Sequence, residues 1–280
     1  MMSKYEDYAT VSKAYDETRV PIGTEILLGC LGAAGAPLAD IRLLDAGCGT
    51  GAYSRAMLGH VGWVDAVDLN EGMLAVARAK LGPEEAAGRI AFHQGSIDAL
   101  PFADETFDAA MINQVLHHIE DGADPAFPAL AAVIAEMARV LQPGGVLVIN
   151  SCTHEQLHDG FWYYDLAAEA REACVRRHIS AERLAAMLTA AGFQMRPPAP
   201  ALDAVMQGEA YFDMTGPLSE DWRKGDSFWA LATDEQVARA EARVRDMQAA
   251  GTLEAWFQGR DERREGVGQF TFFSAVKFTE

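Results

Sequence analysis

The sequence predicts an α/β fold: a three-layer α/β/α sandwich around a mostly parallel, seven-stranded sheet. Three observations carry this reading. Short apolar runs alternate with helix-periodic stretches from about residue 41 to residue 150, and such alternation builds a parallel sheet with helices on both faces. The first apolar run stops in a turn of alternate glycines, Leu43-Leu44-Asp45-Ala46-Gly47-Cys48-Gly49-Thr50-Gly51. The second, Trp63-Val64-Asp65-Ala66-Val67, stops in Asp68, 21 residues after Gly47.

Taken in order, Pro21 opens a helix over Ile22–Leu31, with Ile22, Ile26, Leu27 and Leu31 at helical spacing. Gly32-Ala33-Ala34-Gly35-Ala36-Pro37 is a connector. Strands are expected near 41–46, 64–68, 90–94, 108–113 and 145–150, and helices near 52–60, 71–81 and 126–141. Gly144-Gly145 turns the chain into the buried run Val146-Leu147-Val148-Ile149. Farther on, Ser180–Ala191 reads as an amphipathic helix, capped by Ser180 and stopped by Gly192. Asp234–Ala250 reads as a charged helix, and Phe270–Lys277 as a terminal strand. Aromatic segments lie between, at Phe161-Trp162-Tyr163-Tyr164 and Tyr211-Phe212.

Glycine is needed where backbone takes positive φ or approaches a ligand with no Cβ in the way. Helix N–H groups beyond such a turn offer donors and partial positive charge. The glycines here read G-C-G-T-G, so the third comes one residue earlier than in a dinucleotide fingerprint. That argues against a pyrophosphate. An acidic residue closing the second strand is placed to accept both hydroxyls of a ribose. Turn and carboxylate together imply a nucleoside-bearing cofactor.

These motifs, with Glu71-Gly72-Met73-Leu74, Gln94–Phe102, Thr106–Asn113, Leu116-His117-His118-Ile119 and Ala138–Gly145 following in order, resemble a class I S-adenosylmethionine (SAM)-dependent methyltransferase. The likeness is to the ubiquinone-biosynthesis-like, small-molecule branch. It covers residues 40–150, and more weakly 5–20 and 180–195. The resemblance implies a Rossmann-like sheet with an antiparallel last strand at Phe270–Lys277. It also implies one domain over 1–280: an N-terminal cap (1–38), a SAM-binding core (39–150), and an acceptor-side lid with terminal strands (151–280).

Carried onto this chain, the resemblance assigns Asp45, Gly47, Cys48 and Gly49 to the methionine end, and Asp68 with Leu69 to the ribose. Met73, Ser96 and Ile97 fall to adenine, and Asn113 to the cofactor's edge. Tyr15 and Arg19 belong to a leader folding over SAM, where the forked guanidinium suits the methionyl carboxylate. Ser96 is a departure, since many members carry Asp there; it leaves the Ile97 N–H as the adenine contact.

On the acceptor side, His118 follows strand four, whose carboxyl end faces the ligand crevice, and suits a general base. The other reading of the His117-His118 pair is structural. His154 and Tyr163 are the remaining acceptor-side candidates. The aromatic segments form either a core or an acceptor lid, and a lid is expected because the region interrupts the strand–helix pattern. Two other functions stand beside methyl transfer to a small acceptor. One is a SAM-binding module without catalysis. The other is a zinc hydrolase, because His154-Glu155-Gln156-Leu157-His158 matches H-E-x-x-H, with Glu182 as a third ligand. The methyltransferase reading holds no metal.

Composition sets the bounds. In 280 residues, 50% are hydrophobic, enough for a substantial core. Net charge is −18 and the sequence pI about 4.7, a surface that repels phosphate backbones and anionic bilayers, so neither nucleic acid nor membrane is an expected partner. Cys30, Cys48, Cys152 and Cys174 form no C-x-x-C pair, as suits a reduced protein. The chain starts without an apolar signal core, and a cytoplasmic location is expected. Nothing in the pattern fixes the oligomeric state.

Overall fold

A computed structural model of the chain describes residues 20–119 and 126–279. Strand β1 (Arg42–Ala46) lies near the middle of the sheet. Parallel to it run β2 (Trp63–Asp68) and β3 (Ile90–Gln94) on one side, and β4 (Phe107–Asn113) and β5 (Leu141–Ser151) on the other. Three further strands follow: β6 (Phe193–Met195), β7 (Ala199–Pro200) and β8 (Thr271–Lys277). The order is β3-β2-β1-β4-β5-β8-β6, with β7 also paired to β8. β8 runs antiparallel to both β5 and β6, as the resemblance implies. The expected seven-stranded path is present, with the two-residue β7 added to it.

Why the sheet carries two helical layers is visible in its side-chain alternation. Leu44, Ala110, Ile112, Leu147 and Ile149 face one cluster, closed by α4 (Pro128–Val140) and α7 (Ala181–Ala190). Leu43, Ala109, Met111, Val146 and Val148 face the other, closed by α1 (Thr24–Leu31), α2 (Ala52–Met57) and α3 (Glu71–Ala86). A strand buried on both faces reads as an unbroken apolar run, which is why β1, β4 and β5 stood out in the sequence.

Several boundaries differ from expectation for local reasons. The first helix starts at Thr24 because Gly23 adopts φ +64 just before it, leaving Ile22 outside. The helix at 71 continues past 81 to Ala86; Leu81 leaves helical geometry and Pro83 starts a second piece, so the two are joined at a kink. β5 begins at Leu141, pairs with Phe107, then bulges before Val146 meets Ala109, with Gly144 at φ +80. Ser180 caps α7, accepting from the Arg183 N–H, and Gly192 follows its end at φ +89.

The second half holds a core of its own. Between β5 and β8 run α5 (His154–Asp159), α6 (Ala168–Arg177), α8 (Glu220–Arg223), α9 (Asp234–Ala249) and α10 (Leu253–Val267), besides α7. Trp162, Tyr163, Tyr211 and Phe228 are buried there against Val244 and Phe257. Tyr164 stacks on Phe228 with centroids 3.8 Å apart. The Tyr163 hydroxyl donates to Asp226 Oδ2 at 2.5 Å, and Asp226 Oδ1 accepts from the Phe228 N–H at 2.9 Å. α6 and α10 had no clear signal in the sequence, because their apolar positions are few and serve this aromatic core rather than the sheet.

Removing the Tyr163 hydroxyl leaves a buried carboxylate short of its best donor. Tyr163→Phe is expected to lower unfolding free energy by about 1–3 kcal/mol, read from the denaturant midpoint at unchanged slope.

Candidate active site

The chain leaves β1 for β2 and β3 on one side, then crosses to β4 on the other, so the sheet reverses winding between β1 and β4. Open α/β sheets bind ligands outside the carboxyl ends of the strands at such a point. A cavity of about 210 Å³ lies there, lined from the tips of β1, β2 and β4 and by the loop after β3.

The three glycines after β1 are needed for two different reasons. A Cβ on Gly47 would meet Val115 Cγ2 at 2.5 Å. One on Gly51 would press Leu81 and Ala77 of α3 at 3.2 and 3.3 Å. One on Gly49 would meet nothing within 4 Å, yet Gly49 lines the cavity and holds φ +52. Gly47 and Gly51 therefore serve packing, whereas Gly49 keeps a face of the cavity free of side chain.

Two carboxylates stand beside that turn. Asp68 Oδ2 accepts from the Gly49 N–H at 2.8 Å, and Oδ1 from the Asn70 N–H at 2.8 Å. Asp68 also lines the cavity. Burial pushes its pKa up, against the pull of those backbone donors. Asp45 is 1% exposed and accepts from the Ser54 hydroxyl at 2.5 Å. Burial drives its pKa up to about 7; the Ser54 bond opposes this and the Asp68 charge adds to it. Burial also holds the Cys48 thiol protonated, so it lines the cavity without being a nucleophile.

Met73, Ser96, Ile97, Leu69 and Asn113 also line the cavity. Among the described residues, both polar atoms of the Asn113 amide are buried without a hydrogen-bond partner. His118 lies on the wall too, in a row of rings: 4.0 Å from His117, which stacks at 4.7 Å on the buried His178. Tyr15 and Arg19 lie outside the described residues.

Two acceptor-side candidates are not brought to the cavity. The His154 ring contacts the His178 carbonyl oxygen at 2.8 Å through Nε2, and Tyr163 is fully buried in the aromatic core. Each is committed to packing in the second half. The aromatic segments likewise fill their own core; of the described residues beyond β5, only Met206 and Phe270 line the cavity. Nor does the H-E-x-x-H segment gather ligands: no group of three His, Cys, Asp or Glu side chains converges among the described residues.

The sequence reading missed the mouth. Val20, Pro21 and Ile22 line it. The Tyr53 hydroxyl donates to the Ile22 carbonyl at 3.1 Å and accepts from the Ile22 N–H at 3.3 Å and from Asn150 Nδ2 at 3.0 Å. Asn150 Oδ1 in turn accepts from Gln114 Nε2 at 3.0 Å. Gln114, which lines the cavity, holds φ +56, an uncommon left-handed conformation for a side-chain-bearing residue. Only the polar residues ending β4 and β5 signalled this network. No helix among the described residues is long and apolar enough to cross a membrane.

Comparison with known proteins agrees with this geometry. Residues 44–149 match the family described as methyltransferase domain. The demethylmenaquinone methyltransferase of Clavibacter sepedonicus is 36% identical over 145 residues, 50% of this chain and 54% of that protein. The ubiquinone/menaquinone biosynthesis C-methyltransferase of Saccharophagus degradans is 33% identical over 173 residues, 54% of this chain and 66% of that protein. The chain thus spans between about half and 66% of the length of these two curated relatives. A solved protein described as a methyltransferase from an antibiotic biosynthesis pathway of Anabaena variabilis shares the fold at a TM-score of 0.69 and 19% identity, over 93% of this chain and 99% of that one. The matched core runs from β1 to β5, so residues 44–149 of this chain resemble a methyltransferase domain, and the fold around them is one that a solved methyltransferase shares.

Proposed function

We propose that this chain transfers the methyl group of SAM to a small-molecule acceptor, leaving S-adenosylhomocysteine (SAH). The observation carrying the reading is the side-chain-free wall at Gly49, tied by its own N–H to Asp68 on the neighbouring strand tip. Two further features fit an adenosyl amino acid. Asp68 lines the cavity at the tip of β2, where a ribose diol would need an acceptor, and the Asn113 amide, which also lines it, is buried without a hydrogen-bond partner among the described residues. The quinone methyltransferases among the relatives support a small acceptor.

Bound there, SAM supplies a methyl group on a cationic sulfur that is already a good leaving group. The chain's work is therefore placement and exclusion of water. Gly49 gives room for the methionyl portion, Asp45 offers its carboxyl to the amino group, and Met73 with Ile97 flanks the adenine. His118 accepts the acceptor's proton where the acceptor must lose one. In this reading residues 151–280 form the acceptor-side half of a single domain, and nucleic acid is not a substrate. The rival readings, a binding-only module and a zinc hydrolase, gain no observation of their own.

Methyl-labelled SAM incubated with the protein and a small-molecule extract is expected to yield one specific labelled compound; label that stays in SAM under all conditions leaves only binding. Asp68→Asn is expected to weaken SAH binding by about 1–3 kcal/mol in calorimetry, with the fold retained; an unchanged affinity removes the ribose assignment. Because Asp45 titrates near 7, its ionised fraction rises about tenfold between pH 6 and pH 8. A ligand amino group that needs the carboxylate should gain up to about tenfold in affinity over that range. The gain should vanish in Asp45→Asn.

A further inference from the structure

We propose that Gln114 is a specificity-determining residue: its amide oxygen accepts from an O–H or N–H of the methyl acceptor, so the acceptor is a molecule that carries such a donor. Placing the acceptor, rather than the cofactor, at Gln114 rests on the function proposed above. A side-chain-bearing residue keeps a φ of +56 only where its surroundings over-determine it. Here Asn150 does so twice. Its carbonyl accepts from the Gln114 N–H at 2.9 Å, and its Oδ1 accepts from Gln114 Nε2 at 3.0 Å. Backbone and side chain are pinned to the same residue, so the amide cannot turn alone.

The chain of bonds leading to that amide has a direction. The Ile22 N–H can only donate, and it donates to the Tyr53 phenol oxygen at 3.3 Å. The phenol has one hydrogen, which goes to the Ile22 carbonyl at 3.1 Å. Asn150 therefore meets the phenol oxygen with its NH2 group, at 3.0 Å. That turns Asn150 Oδ1 toward Gln114, which answers with its own NH2 group. Each bond fixes the sense of the next. The atom left at the end of the relay is Gln114 Oε1. Among the described residues its one donor is the Cys152 thiol, at 4.0 Å and weak. Gln114 lines the cavity, so an acceptor oxygen stands there with its orientation set from the mouth.

The sheet order places this oxygen on the acceptor side. β4 lies between β1 and β5. Gly49 and Asp68 stand at the β1 and β2 tips, whereas the partners of Gln114, Asn150 and Cys152, belong to β5 and the chain just past it. An amide oxygen is too weak a base to take a proton, so Gln114 orients the donor and leaves proton removal to His118 on the same wall. A molecule offering only lone pairs at this point, such as an ether or a ketone, would set oxygen against oxygen and strip Gln114 of water without replacing the bond. Sites built to hold a hydroxyl or an amine discriminate strongly against analogues lacking it.

Two neutral fluorescent probes test this: 2-naphthol, and 2-methoxynaphthalene, which keeps the ring and the oxygen but has no O–H. The full chain is titrated with each, with and without saturating SAH, while SAH binding is measured separately by calorimetry. Naphthol should show a saturable site with a Kd about three- to tenfold below that of the ether. Gln114→Met keeps the side-chain length and loses the oxygen; it should bring the ratio to about one with SAH affinity unchanged. A preference owed to the ether's extra methyl group alone would survive that substitution. Should the methionine variant fail to fold, Gln114→Asn tolerates left-handed φ, withdraws the oxygen by one methylene, and should act likewise. The proposal is overturned if the unaltered protein binds the ether as well as naphthol, if it shows no saturable naphthol site, or if the ratio is unmoved in the variant. A fall in SAH affinity with the ratio unmoved also overturns it, by giving Gln114 to the cofactor. A protein that binds no SAH, yet loses its naphthol preference in the variant, removes the cofactor reading and leaves the donor contact at Gln114 standing.

Discussion

The hydrogen bond from the Gly49 amide to Asp68 ties the structure's chemistry to its fold. It joins the turn after β1 to the tip of β2, and it does so without a side chain from the turn. Val67 reinforces the join, its carbonyl accepting from both the Gly47 and Cys48 amides at 2.8 and 2.9 Å. Asp68 spends its other oxygen on Asn70, whose side chain caps α3 by accepting from Gly72 and Met73. One carboxylate thus fixes the glycine turn, the start of α3 and the position of Met73. A buried acid whose pKa is pushed up would be costly without these donors.

How much of this was legible in the sequence depends on which constraint a residue answers to. The parallel core was readable because strands buried on both faces leave unbroken apolar runs, and because G-C-G-T-G and Asp68 sit at a fixed separation. The expected placement of Gly49, Met73, Ser96 and His118 around one space follows from that, since all of them terminate or follow strands at the same edge. His154 and Tyr163 were misjudged because nothing local separates a ring facing a ligand from one facing other rings. Tyr163 meets Trp162, Trp222 and Trp229, partners distant in sequence or hidden in irregular segments. The same holds for Met206 and Phe270, which reach the cavity only through the path of the chain beyond β5.

Besides the ladders of β6, β7 and β8, specific side-chain contacts tie the second half to the sheet. Gln156 Nε2 donates to the Val267 carbonyl, Gln269 Nε2 to the Gly160 carbonyl, and the Thr271 hydroxyl to Gln156 Oε1. They knit α5 to the entrance of β8, so the aromatic core and the sheet share the strand that closes both. Phe270, the residue just before β8, packs in the aromatic core and lines the cavity.

At the mouth, three hydrogen bonds converge on one phenol oxygen, that of Tyr53. Bonds sharing a single atom are lost together, since displacing that atom removes all of them in one motion. The entrance segment at Ile22 and the tip of β5 at Asn150 therefore behave as a single fastened unit rather than as a zipper that loosens bond by bond.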